Sequence, residues 1–229
     1  MNLATDFISL FFPRSCFICG NSLFKNEEVA CTRCLLHLPE THFHREPENP
    51  VFQIFRGRIH IESAASFYYY KKGGSVQQLI HRMKYQGHRE IGIYLGKLYG
   101  QKLKEEPRFS SVDTIIPIPL HRKKEKKRGF NQAEMIAIGL AESMKKELDT
   151  KSVIRVVASS TQTKKSRYKR WENVSEIFRL TDSKALENKH VLLVDDVITT
   201  GATMEACLLR LQTAPGIKLS VASIATAIL

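Results

Sequence analysis

The sequence predicts an α/β protein in which helices flank a parallel sheet, preceded by a small cysteine-rich region. From residue 59 onward, strand-like and helix-like segments alternate along the chain, a pattern typical of parallel sheets covered on both faces. The buried apolar run 191–194 ends at two acidic residues and a threonine–glycine turn. Four of the five cysteines lie within residues 16–34.

The clustered cysteines form two Cys-x2-Cys pairs, whose members are Cys16, Cys19, Cys31 and Cys34. Each pair presents two thiolates to one metal from a tight turn, and two pairs complete a tetrahedral structural Zn²⁺ site. Disulfide bonds are the alternative, but they are typical of secreted proteins. We therefore predict a zinc ribbon, with no catalytic role because four thiolates close the coordination shell.

The first residues predict a short packing helix instead of a secretion signal. Leu3, Phe7, Leu10 and Phe11 lie at helical spacing, and the segment lacks a basic start. No apolar run reaches the roughly 18–20 residues that span a bilayer. We expect a cytoplasmic protein without membrane insertion.

Three regions follow from these patterns. Residues 1–38 hold the N-terminal helix and the ribbon, and residues 39–58, with three prolines, are predicted to be a linker. Residues 59–229 form the main domain. Apolar periodicity predicts its helices at 75–85, 90–103, 131–148 and 203–213. Apolar or β-rich runs predict its strands at 59–70, 112–120, 153–158, 191–194 and 219–229.

Ligands of such sheets bind at the carboxyl ends of strands, where Asp195 and Asp196 emerge here. Carboxylates accept hydrogen bonds from vicinal sugar hydroxyls. The turn that follows opens a helix and allows backbone N–H groups to approach a phosphate; it contains Thr199, Thr200, Gly201, Ala202 and Thr203. Adjacent acids also occur in nucleoside-triphosphate proteins, but the motif GxxxxGK[ST] is absent from this chain. Aspartyl-phosphate proteins do not need the threonine-rich turn.

The segment 191–203 (VLLVDDVITTGAT) resembles the 5-phosphoribosyl-1-diphosphate (PRPP) loop of type I phosphoribosyltransferases. Residues 117–121 (PIPLH), residues 128–132 (RGFNQ) and the pair Lys84-Tyr85 narrow the resemblance to the ComF competence-protein family, as does the cysteine ribbon. A later stretch is also similar, through Gln162, Ser166, Arg170, Asn173 and Phe178. One departure is Lys165, where relatives usually have leucine.

The resemblance implies a type I phosphoribosyltransferase fold, in which Asp195 and Asp196 hold the ribose hydroxyls and residues 199–203 hold the 5′-phosphate. It implies diphosphate binding by Arg122 and Arg128, and a lid carrying Gln162 and Arg170. The catalytic residues would be Asp195, Asp196 and Arg128, in a displacement of diphosphate that Mg²⁺ assists.

Two basic segments dominate the net charge of +12: residues 121–128 and residues 164–170 each carry a net +5. Such runs are often solvated loops, but they also suit a diphosphate or a nucleic acid. Two functions therefore stay open. One is a phosphoribosyltransferase that binds PRPP or a related phosphoribosyl ligand and has an unknown acceptor. The other is a non-catalytic factor for single-stranded DNA, since resemblance to ComF implies DNA uptake, single-stranded DNA and competence-machinery proteins as partners.

Overall fold

A computed structural model of the chain describes residues 14–156 and 177–227. The predicted N-terminal helix and the predicted ligand residues Gln162 and Arg170 lie outside these ranges. None of the helices within the described ranges is long and apolar enough to span a bilayer.

The centre of the fold is a sheet of five strands in the order β1-β7-β6-β2-β3, and every neighbouring pair is parallel. These strands are β1 (Ser63–Tyr69), β2 (Thr114–Pro117), β3 (Glu147–Leu148), β6 (His190–Ile198) and β7 (Lys218–Thr226). The parallel sheet confirms the predicted fold class. Its middle strand, β6, is fully buried from Val191 to Val194, which explains the continuous apolar run of the sequence.

The helices of the described ranges are α1 (Thr32–Leu36), α2 (Pro50–Phe55), α3 (Ser75–Tyr85), α4 (Arg89–Lys104), α5 (Pro107–Ser110), α6 (Arg122–Arg128), α7 (Gln132–Met144) and α8 (Ala202–Leu211). Short 3-10 turns occupy Phe43–Arg45 and Lys184–Leu186. A separate antiparallel ribbon pairs β4 (Val153–Arg155) with β5 (Phe178–Leu180).

Helices α4 and α7 pack with their backbones in direct contact. Gly92, Gly96 and Gly100 repeat every four residues and therefore line one face of α4. A Cβ atom at Gly96 would overlap the carbonyl oxygen of Ile136 in α7, and one at Gly139 would overlap the carbonyl oxygen of Ile93 in α4. Only glycine at positions 96 and 139 lets the two helix backbones come this close.

Residues 39–58, predicted to be a linker, contain a 3-10 turn and α2. The amide of the buried Asn49 fixes this segment: its Oδ1 accepts from the backbone N–H of Val51 at 3.0 Å, and its Nδ2 donates to Ala64 O in β1 at 2.7 Å. Val51 and Phe55 are fully buried. Prolines are typical of linkers, but Pro50 begins a helix, where proline is also favoured. The boundaries at 38 and 58 stay a prediction.

Two further segments differ from the prediction. Basic runs are often solvated loops, but residues 122–128 form α6, which His121 caps through its Nδ1 and which Gly129 ends in the left-handed conformation. The strand at 191–194 continues to Ile198, because its pairing with β7 runs on to Ile198 opposite Thr226. Both acids are therefore on the strand itself.

The Gly96→Ala variant tests the helix contact. Alanine stabilises an ordinary helix position by about 1 kcal/mol relative to glycine, but overlap with Ile136 predicts a loss of about 2 kcal/mol or more here. Urea unfolding measures the difference. Gln101→Ala, at an exposed position of the same helix, is the control, and a stabilised Gly96→Ala protein would contradict the packing.

Candidate functional site

The four clustered cysteines meet at one point. Their Sγ atoms lie within 4.8 Å of one another, and those of Cys19 and Cys31 are 3.8 Å apart. A tetrahedral zinc with bonds of about 2.3 Å places sulphurs about 3.8 Å apart, so the cluster fits structural zinc. All five cysteines are free thiols, and Cys207 is buried far along the chain in α8.

Backbone groups already favour the thiolate form at Cys16. Its Sγ accepts N–H groups from Ile18 and from Cys31, each at 3.4 Å. Burial opposes ionisation, but these N–H groups and that of Cys19 lower the pKa of Cys16 to about 6. Thiolates are the form that binds metal.

Zinc content tests this cluster. We expect one zinc per chain by mass spectrometry under native conditions, and loss of zinc on Cys19→Ser substitution because one thiolate ligand is missing. Cys207→Ser is the matched control and should keep the metal. A strong chelator should lower the melting temperature; zinc-free wild-type protein with an unchanged melting temperature would contradict the site.

Asp195 and Asp196 lie near the carboxyl end of β6, in the middle of the sheet. Neighbouring strand residues point to opposite faces, so the two carboxylates have different partners. Asp196 is buried, and its Oδ2 lies 2.6 Å from Nζ of Lys84 at the end of α3. Asp195 is half-buried, and its Oδ1 accepts the backbone N–H of Asp196 at 2.8 Å.

The surroundings of Asp195 disfavour its charge. Burial, and then the negative charge of Asp196, raise the pKa of Asp195 to about 7; the N–H of Asp196 and the positive charges of Lys84 and Arg155 oppose this rise. Arg155 lies on β4 and is itself partly buried. The site thus holds a carboxyl group that titrates near neutral pH.

The turn after β6 forms a small concave surface. Residues 195 and 197–204 line a cavity of about 40 Å³ there. Gly201 is the residue before α8 and adopts φ +73°, and a Cβ at this position would lie 2.7 Å from Cγ2 of Ile54 in α2. Glycine is thus required by conformation and by space. The helix N-terminus and the threonine hydroxyls of the turn suit an anion.

Arg128 lies at the end of α6, where its guanidinium sits over the ring of Tyr85 at 5.6 Å from the centroid. Its NH1 donates to Oε1 of Gln132 at 2.8 Å. Arg122, at the other end of α6, lines a different cavity of about 470 Å³ between α6, the start of α7 and the β4–β5 ribbon. Arg128 does not line this cavity.

Asn131 is the N-cap of α7. Its Oδ1 accepts the N–H of Ala133 at 3.2 Å, and its Nδ2 donates to Ile118 O at 3.0 Å. Lys84 and Arg155 were not predicted as site residues. The ComF resemblance pointed to the pair Lys84-Tyr85 without assigning it a role, whereas no sequence signal pointed to Arg155.

Comparison with known proteins defines the class. The model of the phosphoribosyl transferase domain matches residues 126–227, which contain the β6 acids and the turn. Together with the parallel sheet, this makes the chain a phosphoribosyltransferase-like α/β protein of the type I fold, with a four-cysteine cluster at its N-terminal side.

Several curated proteins are similar to this chain in sequence. The chain is 27% identical over 192 residues to DNA utilization protein YhgH of Escherichia coli (strain K12), covering 82% of this chain and 80% of that one. It is 33% identical over 130 residues to competence protein F of Haemophilus influenzae (55% and 57% covered), and 28% identical over 149 residues to competence protein ComFC of Bacillus subtilis (62% and 56% covered). These relatives and the matched domain support a ComF-like, phosphoribosyltransferase-like protein.

Among solved structures, adenine phosphoribosyltransferase from Leishmania tarentolae aligns with a TM-score of 0.41 at 12% identity, over 74% of this chain and 93% of that one. The fold class rests on the family model and the sheet.

The Asp195→Asn variant tests the electrostatics of the acid pair. The pKa of Asp195 in the folded state lies above its ordinary value of 3.8. The protonated carboxyl group is therefore tolerated better by the fold than the charged one. Relative to low pH, the folded state loses stability as the pH rises from about 4 to about 7 and Asp195 ionises. Asparagine needs no ionisation. We therefore expect the variant to be more stable than wild type at pH 8, with a melting temperature higher by about 2–4 °C for each kcal/mol gained. If the difference in melting temperature between Asp195→Asn and wild type were the same at pH 4 and pH 8, the raised pKa of Asp195 would be contradicted.

Proposed function

We propose that this protein binds PRPP or a related phosphoribosyl ligand at the carboxyl end of β6. The arrangement of Asp195 and Asp196 directly before the Thr199–Thr203 turn is the observation that carries the proposal. A phosphoribose needs a cradle for its 5′-phosphate and acceptors for two vicinal hydroxyls. The turn offers the first and the carboxylates offer the second.

Transfer chemistry at this site would displace diphosphate from the anomeric carbon, and the acceptor is unknown. A carboxylate of the acid pair near the ribose stabilises positive charge that develops at that carbon. Arg128 presents a guanidinium that suits diphosphate oxygens. Mg²⁺, when bound, neutralises the leaving diphosphate. The oxygen-rich acid pair is compatible with this hard cation, which is held largely by phosphates and water.

Titration calorimetry with PRPP and MgCl₂ tests the proposal. We expect saturable binding by wild type and a loss of at least about a hundredfold in affinity for the double variant Asp195→Asn, Asp196→Asn, because two charge-assisted hydrogen-bond acceptors are removed. Glu142→Gln, an exposed acid on α7, is the control. Absence of PRPP binding to wild-type protein would refute the proposed function.

The second candidate function is binding of single-stranded nucleic acid, and α6 favours it. Six of the seven residues of this helix are basic, and none is buried. Arg155 and Arg179 line the same cavity as Arg122, so positive charge continues from the helix onto the β4–β5 ribbon. Such a surface suits a phosphate backbone. A role in competence and DNA uptake is compatible with the names of the relatives.

Neutralising α6 tests this candidate. The triple variant Lys123→Gln, Lys126→Gln, Lys127→Gln should bind a fluorescent single-stranded oligonucleotide more weakly, and its slope of log affinity against log salt should be shallower by about 2, since three phosphate contacts are lost. The matched control replaces three exposed lysines of other elements, Lys104, Lys151 and Lys184. Undetectable binding by wild type, or an affinity independent of salt, would exclude this function.

A further inference from the structure

The chain from Lys84 to Arg89, which we call the α3–α4 corner, contacts both parts of the proposed phosphoribosyl site. On one side, Nζ of Lys84 lies 2.6 Å from Oδ2 of Asp196. Both side chains are largely withdrawn from solvent, with 21% and 11% exposed. A charge-assisted contact in a partly dry environment holds its two partners more firmly than a surface ion pair does.

On its other side, the corner contacts the segment that carries the proposed diphosphate arginine. The ring of Tyr85 lies under the guanidinium of Arg128. Arg89 donates from NH2 to the carbonyl oxygen of Gly129 at 3.0 Å, and its guanidinium lies over the ring of Phe130 at 5.0 Å. Three consecutive residues, 128–130, are therefore held by two residues of the corner.

The position of the corner is itself fixed by the core. Val76, Leu79, Ile80 and Met83 form the buried face of α3, and Met83 is fully buried directly before Lys84. Tyr85, in contrast, is 64% exposed. Successive residues of a helix point about 100° apart, so Lys84 and Tyr85 reach two different neighbours from one anchored turn.

We propose that Lys84 and Tyr85 are positioning residues for the phosphoribosyl ligand, which set the separation between the ribose-binding acid Asp196 and the diphosphate-binding Arg128. The inference rests on the proposed function. The ligand fixes the distance from ribose to diphosphate covalently, so a site with both halves anchored on one turn is organised before binding. Preorganisation of this kind raises affinity, because less ordering accompanies binding.

Lys84 also acts on the neighbouring acid. The charged and titratable groups that influence Asp195 are Asp196 on its own strand, Lys84 of α3 and Arg155 of β4, and the thiol of Cys207 in α8 also faces it. The positive charge of Lys84 lowers the pKa of Asp195. Removal of that charge therefore moves the ionisation of Asp195 to higher pH, an effect that altered packing alone would not produce.

Calorimetric titration with PRPP and MgCl₂ between pH 6 and pH 9 tests the proposal on the full-length protein. Lys84→Met keeps the length of the side chain and removes its charge. For Lys84→Met we expect the affinity for PRPP to fall about tenfold or more, and the pH dependence of that affinity to shift to higher pH. Lys84→Arg should retain affinity within about threefold. Lys97→Met is the control, since Lys97 forms an ion pair of 2.9 Å with Glu142 on the surface of α4 and α7.

Tyr85 provides a second test that does not endanger the fold, because the ring is mostly exposed. Tyr85→Leu should weaken PRPP binding by about twofold to fivefold through loss of the exposed cation–π contact, and Tyr85→Phe should bind as wild type does. Wild-type affinity and wild-type pH dependence in both Lys84→Met and Tyr85→Leu would overturn the inference and leave the proposed function intact. Failure of the wild-type protein to bind PRPP would refute the proposed function and the inference with it.

Discussion

The backbone contact between α4 and α7 is the constraint on which the site depends. Gly96 and Gly139 bring the two helices closer than any side chain would allow. Helix α7 lies over the sheet, and its N-cap Asn131 is tied to Ile118 directly after β2. The helix contact therefore positions α7, and with it the preceding segment that carries Arg128, against the carboxyl end of β2.

The adjacent carboxyl groups of Asp195 and Asp196 lie in different electrostatic environments. Asp196 has a close cationic partner in Lys84, whereas burial and the charge of Asp196 raise the pKa of Asp195. Such an arrangement is unfavourable for the folded protein alone, and it is typical of sites whose ligand supplies the missing interactions. Under the proposed function, the phosphoribosyl ligand would supply those interactions through its hydroxyl groups.

The described basic surface includes α6, whose four lysines are all exposed. Arg128 differs from these lysines, because Tyr85 and Gln132 hold its guanidinium in place. A fixed guanidinium suits one defined anion, and solvated lysines suit a polymer whose phosphates vary in position. The two candidate functions thus draw on different residues of one segment, and the cysteine cluster belongs to neither set of residues.

The sequence by itself determined the parallel α/β class, the cysteine cluster and the location of the acids at the carboxyl end of a buried strand. These features depend on periodicity, on spacing and on residue chemistry, all of which are local. The tertiary structure decided that residues 39–58 pack through Asn49, and that Lys84 and Arg155 face the acids. Each of these depends on a partner distant in sequence. No local pattern could indicate it, because the energy of such a contact exists only after the sheet and its helices have assembled.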